Sequence, residues 1–336
     1  GHRRRVAHAA RAARPRRPPR YRDAMTSALR LALADIKLAH TVFALPFALL
    51  GALLAAAPNR QAGWFVDDPA RAAAAFAAVL LAMAAARTFA MLVNRLADRR
   101  FDADNPRTAR RPLASGRLPV PAAAALAAVS AALFTLAAAA FWPILGNHWP
   151  IILAAPVLAW IALYSFTKRF TWLCHAFLGS ALAISPLAAA LAIRPDVLLD
   201  PPGSGTARAL AALAGFVLLW VAGFDVAYAL HDLDFDRRAG LPSAPARFGM
   251  LGALRTARAL HAAAALLLFA AVLAEPRLGL PSLLGAALVA LLLLAEHVLL
   301  ARRGPAGLPI AFFAINGSAS VAIGLLAGAD LLIRAL

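Results

Sequence analysis

Two short stretches of this chain concentrate its acids. One runs Asn94-Arg-Leu-Ala-Asp98-Arg-Arg-Phe-Asp102-Ala-Asp104, and the other runs Asp225-Val-Ala-Tyr228-Ala-Leu-His-Asp232-Leu-Asp234-Phe-Asp236. Together they hold seven of the sixteen carboxylates in 336 residues. Each carries an Asp-x-x-x-Asp pair extended four residues back by a polar side chain, so that Asn94, Asp98 and Asp102 echo Tyr228, Asp232 and Asp236. Residues four apart share a helix face, and eight residues of helix rise about 12 Å, enough to line one wall of a cavity. Clustered carboxylates without thiol or imidazole partners suit hard, oxygen-seeking cations such as magnesium. Arg107, Arg111, Lys168 and Arg169 lie close to these stretches in sequence or in expected topology. Acids, divalent ions and guanidinium groups together match a metal-bridged diphosphate. Solvated charges balancing nearby arginines would need neither the repeated spacing nor the crowding of like charge, which a bound cation relieves.

The elements that must position these residues are membrane helices. At 62% hydrophobic and 15% charged, with mean hydropathy +0.72, the chain has more apolar side chain than a soluble globule of its size can hide. Scanning for spans of about 20 residues predicts an all-α, polytopic membrane protein with nine transmembrane helices, near 29–57, 71–93, 120–143, 149–165, 172–193, 206–228, 256–274, 279–301 and 309–333. Abundant Ala, Leu and Gly favours close helix packing, and long unbroken apolar runs argue against a barrel. The net charge of +18 is distributed as topology demands, with no nucleic-acid patch. Sixteen Lys and Arg fall at the end reached after helices 2, 4, 6 and 8, and six at the other. By the positive-inside rule both acidic stretches are expected to be cytoplasmic.

Residues 1–24 hold nine Arg and one acid, Asp23. Without an apolar core this is neither a signal peptide nor a span; it reads as a solvated or lipid-headgroup-binding tail, or as an Arg-rich leader. The expected division is a basic tail over 1–28 and a single transmembrane domain over 29–336. The lone Cys174 allows no internal disulfide. His175, His231, His261 and His297 show no repeated spacing and read as packing or interface residues. Arg87, within the second helix, fits a buried structural pair as well as a substrate contact. Intramembrane acids inside a repeat also occur in ion-coupled transporters, but those sites favour the bilayer midplane and broken helices, whereas these acids sit at helix ends.

Four segments in order carry a family resemblance: Asp35-Ile-Lys37-Leu-Ala-His40-Thr-Val-Phe-Ala-Leu-Pro46; Asn94 through Asp102 and Asn105-Pro-Arg107 to Arg111 and Gly116; Tyr164-Ser-Phe-Thr-Lys168-Arg169-Phe-Thr; and Asp225 through Tyr228, Asp232 and Asp236 to Gly240. The chain resembles the UbiA-type intramembrane prenyltransferases over 30–335, with wording nearest the 4-hydroxybenzoate polyprenyltransferase branch or its relative acting on dihydroxynaphthoate. The resemblance implies a nine-helix bundle around a central cavity. It also implies magnesium-dependent transfer of a polyprenyl group from polyprenyl diphosphate to a ring carbon of an aromatic acid acceptor in ubiquinone or menaquinone synthesis. A bacterial inner membrane, or a mitochondrial one, would be the setting.

The implied roles follow residue by residue. Asn94, Asp98 and Asp102 form a first metal site, and Asp232 and Asp236 a second. Arg107, Arg111 and Lys168 bind diphosphate. Arg169 pairs with the acceptor's carboxylate or joins the diphosphate site, and Lys37 is a further substrate contact or an interface anchor, as is His40. Asp225 polarises the acceptor phenol and Tyr228 orients it. Where many members have Asn-Asp, this chain has Asn94-Arg95, which removes one carboxylate and gives Asp104 a larger part. Members with haem, chlorin or lipid acceptors remain alternatives.

Overall fold

The structure is a computed structural model that describes residues 31, 43–56, 68–199 and 204–335. Lys37, His40 and the tail over 1–28 lie outside the described residues. Among the described residues nine principal helices follow in order: α1 (Leu45–Ala56), α2 (Pro69–Asp104), α3 (Val120–Leu145), α4 (Trp149–Thr167), α5 (Cys174–Ile193), α6 (Gly205–Tyr228), α7 (Ala244–Ala274), α8 (Leu280–Arg303) and α9 (Asn316–Ala335). Eight are long and apolar enough to cross a membrane, and α1 is a shorter apolar helix. The protein is a multi-pass integral membrane protein.

Successive helices from α2 to α9 pack against one another, and α1 touches α9, α2, α5 and α6, which closes the ring. The most buried of the spans is α6, seated between α5 and α7. Small residues set these distances. A Cβ on Gly51 of α1 would overlap the main chain at Pro186 of α5, and a Cβ on Gly179 of α5 would overlap the Leu218 carbonyl of α6. Close backbone approach of this kind supplies the packing that hydrophobicity cannot drive inside lipid.

Along α6 an aromatic ladder repeats every four residues. Phe216 stacks on Trp220 at 5.7 Å, Trp220 meets Phe224 edge-on at 5.2 Å, and one turn later comes Tyr228. Phe312 packs against both Phe224 and Tyr228, at 5.2 and 4.5 Å. It projects from a π-helical turn, Ile310–Ile315, where Asn316 Nδ2 donates to Ala311 O at 2.9 Å and to Glu296 Oε2 at 3.0 Å. Trp220 Nε1 donates to Asn316 Oδ1 at 2.6 Å. The wide turn is therefore satisfied internally, as buried backbone in a membrane bundle must be.

Two local features differ from expectation at the acidic stretches. The second helix runs to Asp104, eleven residues beyond the apolar span, because a hydropathy window ends where polarity begins while the helix continues. The second stretch is broken: α6 stops at Tyr228, a 3₁₀ turn spans Ala229–Asp232, and a helical segment spans Leu233–Arg238. Each stretch ends in a loop whose glycine takes a left-handed conformation, Gly116 at φ 75° and Gly240 at φ 67°, which a side chain would disfavour.

At the far end of the bundle one ion-pair cluster ties three helix ends together. Arg277 Nε and NH2 donate to Glu275 Oε1 and Oε2, both at 2.7 Å, and Thr206 Oγ1 donates to Oε2 at 2.7 Å. Arg277 NH2 also donates to Leu54 O at the end of α1. Burial alone would raise the Glu275 carboxyl, but the Arg277 and Thr206 hydrogen bonds outweigh it and hold it below the usual range. A carboxyl depressed by folding stabilises above its unfolded value of about 4.3 and loses that contribution as pH falls through the folded value. Melting temperature in detergent is therefore expected to drop on acidification below about pH 4. Glu275→Gln should melt lower at neutral pH with a flatter acid limb. Equal acid limbs in the two proteins would contradict the assignment.

Candidate active site

The two acidic stretches meet. On α2, Asn94 Nδ2 donates to Asp98 Oδ2 at 3.0 Å. Arg169, just past α4, donates to Asp98 Oδ1 at 3.1 Å, to Ala97 O at 2.7 Å and to Ser165 O at 2.8 Å. Its guanidinium lies between the rings of Phe101 and Phe166. Arg111 NH1 donates to both oxygens of Asp102 at 2.8 Å. From the same loop, Arg107 reaches the other stretch: its Nε donates to Asp232 Oδ1 at 2.9 Å and its NH2 to Oδ2. Asn105 Nδ2 donates to Asp232 Oδ1 at 2.8 Å. Lys168 Nζ stands 2.8 Å from Asp236 Oδ1.

Four acids and four bases thus form four ion pairs around a cavity of about 240 Å³. Asn94, Asp98, Asp102, Arg107, Arg111, Lys168, Arg169, Asp225, Tyr228 and Asp232 all line it. Asp236 is fully buried behind Lys168, while Asp104 and Asp234 are exposed. For Arg107 and Lys168, burial by itself lowers the pKa, but the acids they face outweigh it and raise both. Both remain cationic at neutral pH.

On the α6 wall, Asp225 Oδ2 lies 2.7 Å from His175 Nδ1, and Ala244 N–H donates to His175 Nε2 at 3.3 Å. The Tyr228 ring lies 5.7 Å from the Arg107 guanidinium. The lining also includes His175, Asn105, Tyr164 and Ser165, which the sequence reading did not single out as site residues. His175 carried no spacing signal, and Asn105 was visible only as part of the Asn-Pro-Arg wording.

Beyond Tyr164 and Leu178 the polar cavity gives way to an apolar one of about 150 Å³ that shares both residues. A further apolar cavity of about 270 Å³ adjoins it through Met83, Phe134, Val157 and Ser185. From Asn94 down α2 to Val79 in the last cavity is about 22 Å at helical rise. The lining of the two apolar cavities is hydrocarbon apart from Tyr164, Ser185 and a single charged residue. Arg87 faces this apolar space with its Nε and NH2 buried and without hydrogen-bond partners.

Among the described residues no three His, Cys, Asp or Glu side chains converge closely enough to cage a metal ion. That agrees with the donor set. Magnesium takes one or two carboxylates and completes its shell with water and substrate phosphate oxygens, whereas an all-protein cage would suit a different ion. Asn94, Asp98 and Asp102 on one wall and Asp232 on the other offer only oxygen ligands of that kind, with Asp236 behind.

Acid motifs at one end of a helical bundle, cations interleaved with them and apolar cavities behind together make one site that passes from polar to apolar. Comparison with known proteins agrees: the profile of the UbiA prenyltransferase family matches residues 44–323, and the chain belongs to that family. A 4-hydroxybenzoate octaprenyltransferase of Shigella flexneri is 40% identical over 200 residues, covering 60% of this chain and 64% of that protein. One of Klebsiella pneumoniae is 33% identical over 203 residues, covering 60% and 65%. The chain thus matches just under two thirds of the length of these relatives. An apo UbiA homolog from Aeropyrum pernix K1 superposes with TM-score 0.71 at 32% identity, covering 89% of this chain and 99% of that one. A UbiA homolog from Archaeoglobus fulgidus bound to GPP and Mg2+ shares the fold, with TM-score 0.64 at 20% identity over 91% and 100% of the two chains.

Proposed function

We propose that this protein transfers a polyprenyl group from polyprenyl diphosphate to a ring carbon of 4-hydroxybenzoate or a related hydroxyaryl acid, with magnesium as cofactor, in quinone synthesis. The observation that carries the reading is the junction of one polar cavity, built by both acid motifs and the Lys and Arg side chains among them, with a series of apolar cavities deep in the bundle. A diphosphate head and a hydrocarbon tail require that junction.

The roles follow from reach. Asn94, Asp98 and Asp102, with Asp232 and Asp236, would hold magnesium, which supplies charge neutralisation on the departing diphosphate when bound. Arg107, Arg111 and Lys168 face the same space and take the remaining phosphate charge, exchanging their carboxylate partners for phosphate oxygens of similar hydrogen-bonding geometry. Lys37 joins them on sequence grounds. The chain of the donor fills the apolar cavities beside α2. Departure of diphosphate leaves positive charge on the allylic carbon, which the faces of Tyr228 and Phe101 and the nearby carboxylates tolerate. Asp225 accepts a hydrogen bond from the acceptor's phenol, and Tyr228 orients the ring.

The acceptor's acid group needs a cation. Arg169 is committed to Asp98, to two carbonyls and to two aromatic faces, so its part is to hold Asp98 against α4. Arg87, with bare nitrogens beside Tyr164, is the better carboxylate partner, and a buried guanidinium of this kind gains most from a bidentate anion. The charge distribution favours motifs on the cytoplasmic face, where water-soluble acceptor and diphosphate exchange.

The test is product analysis. Purified protein in liposomes with magnesium, several prenyl diphosphates and a mixture of 4-hydroxybenzoate and dihydroxynaphthoate should yield a prenylated acid by mass spectrometry, and chelation should stop it. Folded protein that makes no prenylated product, or that keeps its rate under chelation, overturns the reading.

A further inference from the structure

We infer that His175 is a positioning residue for the transfer reaction, fixing the orientation of Asp225 through a tautomer dictated by the start of α7. The inference rests on the reading of Asp225 as the group that meets the acceptor.

Geometry sets the proton. Ala244 is the first residue of α7, after the cap Ser243, and its N–H is one of the main-chain donors a helix start leaves without an intrahelical partner. It points to His175 Nε2 at 3.3 Å, so Nε2 must present a lone pair. The ring proton therefore sits on Nδ1, which donates to Asp225 Oδ2 at 2.7 Å. A neutral imidazole has one donor and one acceptor, and both are used. His175 is held rigidly, with its side chain 6% exposed, while Asp225 remains 27% exposed at the cavity.

Three elements are joined in this way. His175 opens α5, Asp225 lies in the last turn of α6, and Ala244 follows the loop that carries Gly240 away from Asp236. One oxygen of Asp225 is tied, and the carboxylate plane is set toward the cavity it lines. A supporting residue that fixes the orientation of a reacting group behaves like the outer partners of metal-bound histidines, here with the order reversed: imidazole behind, carboxylate in front.

Steady-state kinetics of His175→Ala, His175→Asn and His175→Gln test this, beside wild type and Asp225→Asn. The Asn amide places an N–H where Nδ1 stands, and the Gln amide places it near Nε2. Expected are a fall in kcat of about tenfold or more for Ala and Gln, recovery of most of the rate in Asn, and a KM for prenyl diphosphate within about twofold of wild type in all three. Wild-type kcat in His175→Ala overturns the inference. Should the alanine protein fail to fold, Asn and Gln of matched melting temperature decide it, and equal rates in those two overturn it as well. Full activity of Asp225→Asn would instead overturn the role given to Asp225, and absence of product from folded wild type would overturn the reaction itself.

Discussion

Replacing Asp98 or Asp232 by alanine is expected to reduce turnover by about a thousandfold or more while leaving the bundle folded. The two residues sit on opposite walls of one cavity, Asp98 on α2 and Asp232 beyond α6, and each would hold magnesium against the same diphosphate. Removing either leaves the developing charge on the leaving group without one of its anchors. Structural damage should be small. The guanidiniums freed by the change, Arg169 and Arg107, are 29% and 32% exposed, so water replaces the lost carboxylate, and partly exposed pairs contribute little to stability. Product formation and melting temperature measured together separate the outcomes. Near-wild-type rate in either variant refutes the metal assignment, and loss of the folded protein would show the pairs to be structural.

Arg87→Met is expected to lower kcat/KM for an acidic acceptor by about a hundredfold and to leave a neutral phenol of the same shape nearly unaffected. Methionine keeps much of the volume and removes a buried cation whose Nε and NH2 have no partner. Uncompensated charge among apolar side chains is costly, so the variant should melt at the same temperature or higher. Rising stability with falling activity would mark Arg87 as a group retained for substrate. The comparison is Arg169→Met: if the selectivity for acids is lost there and kept in Arg87→Met, the acceptor's carboxylate belongs to Arg169.

Much of this architecture was legible because membrane helices are written in composition. The predicted spans match described helices, the first of them over Leu45–Ala56 because residues 32–42 lie outside the described residues, and the boundaries differ where polarity enters: the apolar signal of the second span ends near Val93, while α2 continues through Asn94, Asp98 and Asp102 to Asp104. The four-residue spacing of both stretches was visible, but the break at Ala229–Asp232 was not, since nothing in Ala-Leu-His-Asp distinguishes a 3₁₀ turn from α-helix. Likewise the spacing brought acids together without saying which base each would meet. Arg107 to Asp232 spans more than a hundred residues, and such pairings are set by tertiary packing. His175 was the least legible, because its importance lies in facing Asp225 and Ala244, each brought to it by a different helix.

The four ion pairs around the cavity have a consequence for the order of events. Charges that cancel in pairs exert little net pull on an isolated ion, so neither free diphosphate nor a free divalent cation is strongly drawn in. A complex in which the two already balance can exchange partners with the resting pairs at little electrostatic cost: carboxylates turn from guanidinium to metal as guanidinium turns from carboxylate to phosphate. On the proposed function, saturation by prenyl diphosphate and by magnesium should then be mutually dependent, each tightening as the other rises, and either one alone should inhibit weakly.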